Sequence, residues 1–274
     1  MDLSNNPVPQ NPNQPQPTAP NSYQNNRPLK PAGSAATVIG ILVFLGIMGF
    51  NLYTNTAQEK ELTDITNLAK SVDQNTLTMT SEVTPETDLG KIMKDYFADI
   101  ENLIVEHEKK LEVVSEFSLE DPTIYKDLKR LKAAKESINK TAEADQFLFN
   151  GMKDIMIKYN KKFTDLFNQS AYIGRQADLE SITDELDQLI EDTEKLNGLE
   201  DVMIKDSLFF LQYVIDNNDK ITVEANQVII EDNTVMTQYN LLLDAMGKSA
   251  NNFLDVQSAI VDEYSTAFDE VVTY

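Results

Sequence analysis

Beyond residue 54 the apolar positions recur every three or four residues for most of the chain. Leu89, Met93, Tyr96, Ile100, Leu103, His107, Leu111 and Val114 form one such stripe. Leu128, Leu131 and Ile138 begin a sparser one, and Leu148, Met152, Ile155, Tyr159, Phe163 and Leu166 a denser one. Leu179, Ile182, Leu186, Leu189 and Leu196 follow. The clearest runs from Met236 through Tyr239, Leu243, Met246, Ala250, Phe253, Gln257 and Ile260 to Tyr264, Ala267 and Val271. Such spacing puts the apolar side chains on one face of a helix. It predicts an all-α, antiparallel bundle of about four to six long, coiled-coil-like helices.

Local signals place the ends. Thr84-Pro85-Glu86 reads as a helix start, with a cap, a proline at the first helical position and an early acid. Asp121-Pro122 reads as another, and Asn197-Gly198 as a stop. The pattern lapses around Gln169 to Gln176. Whether Thr141 to Asp145 divides a helix is left open. Val202 to Ile215 is apolar on nearly every face and reads as a buried helix, too short and too interrupted by Lys205, Asp206 and Gln212 to span a bilayer. Residues 220–232 are ambiguous. Ile221, Val223, Val228, Ile229 and Ile230 are β-branched around a Glu224–Gln227 turn, so a small hairpin competes with helix.

The start of the chain differs. Pro31 to Gln58 contains no charged residue, and Ala35 to Tyr53 is a largely apolar run of about 19, close to the roughly 20 needed to cross a bilayer as a helix. Arg27 and Lys30 precede it; Glu59, Lys60, Glu61 and Asp64 follow. An uncleaved signal-anchor is the reading, with the N-terminus cytoplasmic and the remainder extracytoplasmic by the positive-inside rule. A cleaved signal peptide, cut near Asn55-Thr56-Ala57, is the alternative. The long polar leader opposes it. Ala36 and Gly40 share a face that supports helix pairing.

The expected organisation is a disordered Pro/Asn/Gln-rich cytoplasmic tail over 1–33, a transmembrane helix over 34–53, a helical stalk over 54–84 and a helical-bundle ectodomain over 85–274. Eight of the 10 prolines lie in the first 31 residues, and only Pro85 and Pro122 remain to break helices afterwards. The tail's P-x-x-P spacings follow from its composition and read as those of a solvated spacer rather than a docking tail.

The formal charge is −22; the tail, with Asp2, Arg27 and Lys30, is about +1, so the rest carries about −23. An acidic surface disfavours nucleic acid and anionic headgroups. There is no cysteine, which removes disulfides, thiolate chemistry and Cys-based metal sites. A large envelope domain without disulfides relies on its core. His107 is the one histidine. It falls on the stripe between Leu103 and Leu111, so it reads as a core-edge histidine; a proton-linked switch or a lone ligand is the functional alternative. Asp184, Glu185, Asp187, Glu191, Asp192 and Glu194 lie along a predicted helix and read as a solvated face, not a calcium loop. Asp216-Asn217-Asn218-Asp219 lacks the glycine and distal Glu of a calcium hand and reads as a helix end. Asn139 and Asn168 head glycosylation-type triplets that an Asn- and Thr-rich chain produces by composition.

No nucleotide loop, metalloprotease helix or nucleophile elbow is present. The expectation is therefore non-enzymatic, with no catalytic, cofactor or metal residue singled out. The leading function is a single-pass envelope protein that presents a protein-interaction or scaffold module, with a protein partner or self-association and no nucleic acid. The alternatives are an extracytoplasmic small-ligand sensor working through a partner, and a helical pore-forming protein.

Overall fold

The computed structural model describes residues 59–71, 83–114, 119, 121–225 and 227–272. The tail over 1–33 and the transmembrane segment over 34–53 lie outside them. Among the described residues, no helix is long and apolar enough to cross a membrane.

Five helices pack antiparallel: α1 (Glu59–Ser71), α2 (Asp88–Leu111), α3 (Leu128–Phe167), α4 (Gln176–Asp216) and α5 (Asn233–Val272). A two-stranded hairpin, β1 (Ile221–Glu224) and β2 (Gln227–Ile230), joins α4 to α5. Its antiparallel register pairs Ile221 with Ile230 and Glu224 with Gln227. The hairpin wins over helix because Ile221 and Val223 alternate with exposed residues, so β1 has an inner face to bury and β2 pairs along it.

Helix α2 starts later than the Thr84-Pro85 signal indicates. Thr87 is the cap; its hydroxyl accepts from Gly90 N at 3.1 Å. The correction has a tertiary cause. Asp64 of α1 accepts the Glu86 and Thr87 amides at 3.2 and 2.8 Å and the Thr87 hydroxyl at 2.6 Å. Those amides are thereby held toward α1. Gly90 permits this approach, since a Cβ there would stand 2.7 Å from Asp64 Oδ2. Burial of Asp64 opposes its charge, but the Thr87 and Glu86 hydrogen bonds outweigh it and hold the carboxyl below its usual range.

Asp121-Pro122 opens only a short 3-10 turn, Pro122–Lys126, capped by Asp121. The long helix begins one step later, where Asp127 accepts from Lys129 N at 2.8 Å. Ile124 and Tyr125 of the turn are buried, which is why the chain closes there first. Helix α3 then runs unbroken through Thr141 to Asp145. The lapse near 169 is a turn with a 3-10 segment, Ser170–Tyr172, and Gly174 at φ 91°.

Asn197-Gly198 is not a stop. Helix α4, 41 residues long, runs through it to Asp216. Gly198 points to open space. Its helical penalty of about 1 kcal/mol is small beside the burial of Leu196 on one side and Phe210, Leu211 and Val214 on the other. Phe209, by contrast, is 67% exposed, so the last third of α4 is not buried all round.

Two apolar cores occupy the two ends. The first joins Ile65 and Leu68 of α1 to Tyr96 and Ile100 of α2, Tyr159 and Phe163 of α3, Leu186 and Leu189 of α4, and Phe253 and Ile260 of α5. The second joins Ile124 and Tyr125 to Leu131 of α3, Phe210 and Val214 of α4, Ile221 and Val223 of the hairpin, and Val235 and Tyr239 of α5. The rings of Tyr125, Phe210 and Tyr239 meet there with centroids 5.2–6.4 Å apart.

Candidate functional site

Between the two cores the apolar stripes of three helices are each interrupted by an ionisable residue. His107 comes from the last turns of α2, Asp145 from the middle of α3 and Glu200 from the middle of α4. All three are buried, at 4%, 1% and 3% exposure. His107 Nε2 lies 2.8 Å from Asp145 Oδ1. A carboxylate can only accept, so Nε2 carries the hydrogen.

Glu200 completes the cluster. Burial, the adjacent charge of Asp145 and hydrogen bonding with Asp145 push its carboxyl up to about 9. It is therefore protonated at neutral pH. Asp145 Oδ2 finds no partner among the ordinary donors. A protonated Glu200 is a donor that Asp145 can accept, which makes the two an acid–carboxylate pair beside the His107 imidazole. Burial takes these groups out of reach of a substrate. The three groups face one another, and their interactions link α2, α3 and α4.

The sequence brings His107 to notice but not its partners. The available signal was positional. Asp145 falls on the face defined by Leu131, Ile138, Leu148 and Met152, and Glu200 on the face defined by Leu189, Leu196 and Phe210. An acid on such a stripe must find a partner.

A second polar cluster ties the first core's end together. Arg175, at the start of α4, bonds Glu61 of α1 through Nη1 and Asp178 through Nε, each at 2.7 Å. Its guanidinium lies over the rings of Phe167 and Tyr172, 5.4 and 5.2 Å from their centroids. Burial opposes its charge, and the two carboxylates outweigh that. Tyr172 is pushed up to about 12 by burial and by Glu61. Along the outside, Asp99 receives both Lys158 and the Tyr159 hydroxyl, the latter at 2.7 Å, which fastens α2 to α3.

The acids of the α4 face behave as a solvated surface. Asp184, Asp187, Glu191 and Glu194 are exposed, and Glu185 and Asp192 half-buried. Among the described residues no group of three or more His, Asp or Glu is arranged to hold a metal. A groove lined by Asp88, Lys91, Ile92, Lys162 and Leu166 is open to solvent. Exposed large apolar side chains are spread over the described residues, with Val113 after α2, Ile157 on α3 and Ile173 in the α3–α4 turn among them. Val202 and Phe209, two turns apart on one face of α4, are 49% and 67% exposed, and Leu241 on α5 is 59% exposed. Phe210 touches Tyr239, so Phe209 and Leu241 stand at a similar level of the bundle. Comparison with known protein families, curated proteins and solved structures finds no match.

Proposed function

We propose that this chain is a single-pass, membrane-anchored envelope protein whose extracytoplasmic helical bundle is a non-enzymatic docking module for another protein. The observation that carries the reading is the exposure of Phe209 on α4 and Leu241 on α5, at the end of the bundle that holds the second core. A large aromatic side chain left in solvent contributes little to the core, and Phe209 is the candidate centre of the docking surface. The uncharged run over 34–53 is the anchor, with the tail cytoplasmic and the bundle outside. The buried His107–Asp145–Glu200 cluster fits a structural role in a rigid module, since its members are spent on one another.

A small-ligand sensor calls for an enclosed cavity with converging polar groups. The open groove beside Asp88 and Lys162 does not favour it. The test is site-specific photocrosslinking in native membranes, with the crosslinker at Phe209 and, as control, at Glu101 on α2. Reproducible capture of one envelope protein from Phe209 and not from Glu101 supports docking. Absence of capture, together with a saturable thermal shift of the purified protein by one small molecule, would replace docking with sensing. Continuous association with membranes separates either reading from a pore-former that inserts on demand.

A further inference from the structure

The start of α1 is fastened to one particular end of the bundle. Glu61, in its first turn, bonds Arg175 at 2.7 Å, and Lys60 reaches Glu86 at 3.0 Å. Arg175 closes the α3–α4 turn. Tyr53 ends the apolar run, and the few residues from there to Glu59 reach at most about 20 Å when fully extended. If 34–53 spans the bilayer, the α3–α4 turn is therefore held close to its surface.

The composition of that turn suits the position. In a chain that is 25% charged, residues 168–174 read NQSAYIG and carry no charge. Ile173 is 78% exposed. It stands there because its neighbours are fixed. Tyr172 is buried against Phe167, Gly174 takes φ 91°, and Arg175 is clamped by Glu61 and Asp178. A turn this constrained displays an isoleucine to its surroundings without needing it for the core. Amphipathic elements that rest on lipid place such a residue at the headgroup–acyl boundary.

We propose that the α3–α4 turn, led by Ile173, is a lipid-contact surface, so that the bundle stands end-on upon the membrane that anchors it. This deepens the anchoring reading and rests on it. The ligand is the surface of the bilayer itself, recognised by apolar contact rather than by charge. Helix α4 rises from this foot at about 1.5 Å per residue, which carries Phe209 about 50 Å outward. The foot and Phe209 thereby lie toward opposite ends of α4.

The chain has no tryptophan, so single substitutions give clean reporters. The full-length protein is reconstituted into phosphatidylcholine vesicles carrying brominated acyl chains, as three variants: Phe44→Trp in the apolar run, Ile173→Trp in the turn and Phe209→Trp at the far end. Expected are strong quenching for Phe44→Trp, at least twofold quenching with a blue-shifted emission for Ile173→Trp, and unquenched, solvent-like emission for Phe209→Trp. Quenching of Phe44→Trp but not of Ile173→Trp would overturn the lipid contact while leaving the anchor intact. Quenching of Phe209→Trp to the extent of Ile173→Trp would overturn the end-on stance. An unquenched Phe44→Trp would remove the anchor and the proposal together.

Discussion

The two ends of the bundle are built differently, and the difference lies in how many helices each core gathers. The first core gathers side chains from all five helices, including two fully buried tyrosine and phenylalanine layers, Tyr96–Tyr159 at 5.1 Å and Phe163 beneath. It is further laced by Asp64, Arg175 and Asp99. The second has neither α1 nor α2. It is closed by a 3-10 turn and a four-residue-per-strand hairpin, and it leaves Phe209 and Leu241 in solvent. Helices α3, α4 and α5 run through both. The layer of His107, Asp145 and Glu200 marks where the first gives way to the second.

The largest expected effect breaks either core. Phe163→Ala and Phe210→Ala each remove a side chain with no exposed surface and should cost about 3–5 kcal/mol. Denaturant unfolding should remain a single transition in both, because three helices are shared. Separate transitions for the two ends would show that the cores are independent.

The next effect concerns the layer between them. The carboxyl of Glu200 is raised in the folded state, to about 9, by burial and by Asp145. Between its ordinary range near pH 4.5 and about pH 9, the unfolded chain releases a proton that the folded chain keeps. Stability from this group is therefore greatest at the acid end and falls as pH rises, by up to about 1.4 kcal/mol per unit. Glu200→Gln keeps the hydrogen bond to Asp145 and removes the titration. Its stability should be flatter over that window, measured by urea unfolding at several pH values. A wild type as flat as the variant would contradict the acid–carboxylate pair.

A smaller effect belongs to the α1–α2 junction. Thr87→Ala removes the cap of α2 and a donor to Asp64, and should cost about 1 kcal/mol, with amide exchange quickened in the first turn of α2. The smallest belongs to the far surface. Phe209→Ser should change stability by no more than about 0.5 kcal/mol while sharply reducing partner capture by a photocrosslinker placed at Leu241, because Phe209 is exposed and adds little to folding.

The helices were legible where burial is one-sided. The three-four spacing of Tyr96, Ile100 and Leu103, or of Phe253 and Ile260, is a direct record of which face meets the core. Ends were less legible, because a local signal is worth about 1 kcal/mol and tertiary contacts exceed it. Asp64 moved the start of α2 from Thr84 to Thr87, and packing carried α4 through Gly198. The reading of 54–84 as a stalk gave no indication that Ile65 and Leu68 would be fully buried. Asp145 and Glu200 were hidden by number. Among 45 acids, only their positions on apolar stripes distinguish them, and a partner 38 or more residues distant is not visible in a local pattern.

The central claim is an anchored module with its bundle outside the cell membrane and its foot beside the anchor. The chain has no cysteine, so single-cysteine labelling reads topology directly. Ser22→Cys marks the tail and Thr222→Cys the exposed edge of the hairpin. On intact cells a membrane-impermeant maleimide should label Thr222→Cys fully and leave Ser22→Cys unlabelled until the membrane is permeabilised. Labelling of Ser22→Cys on intact cells with Thr222→Cys protected would invert the topology. Recovery of Thr222→Cys in the soluble fraction would contradict the anchor itself.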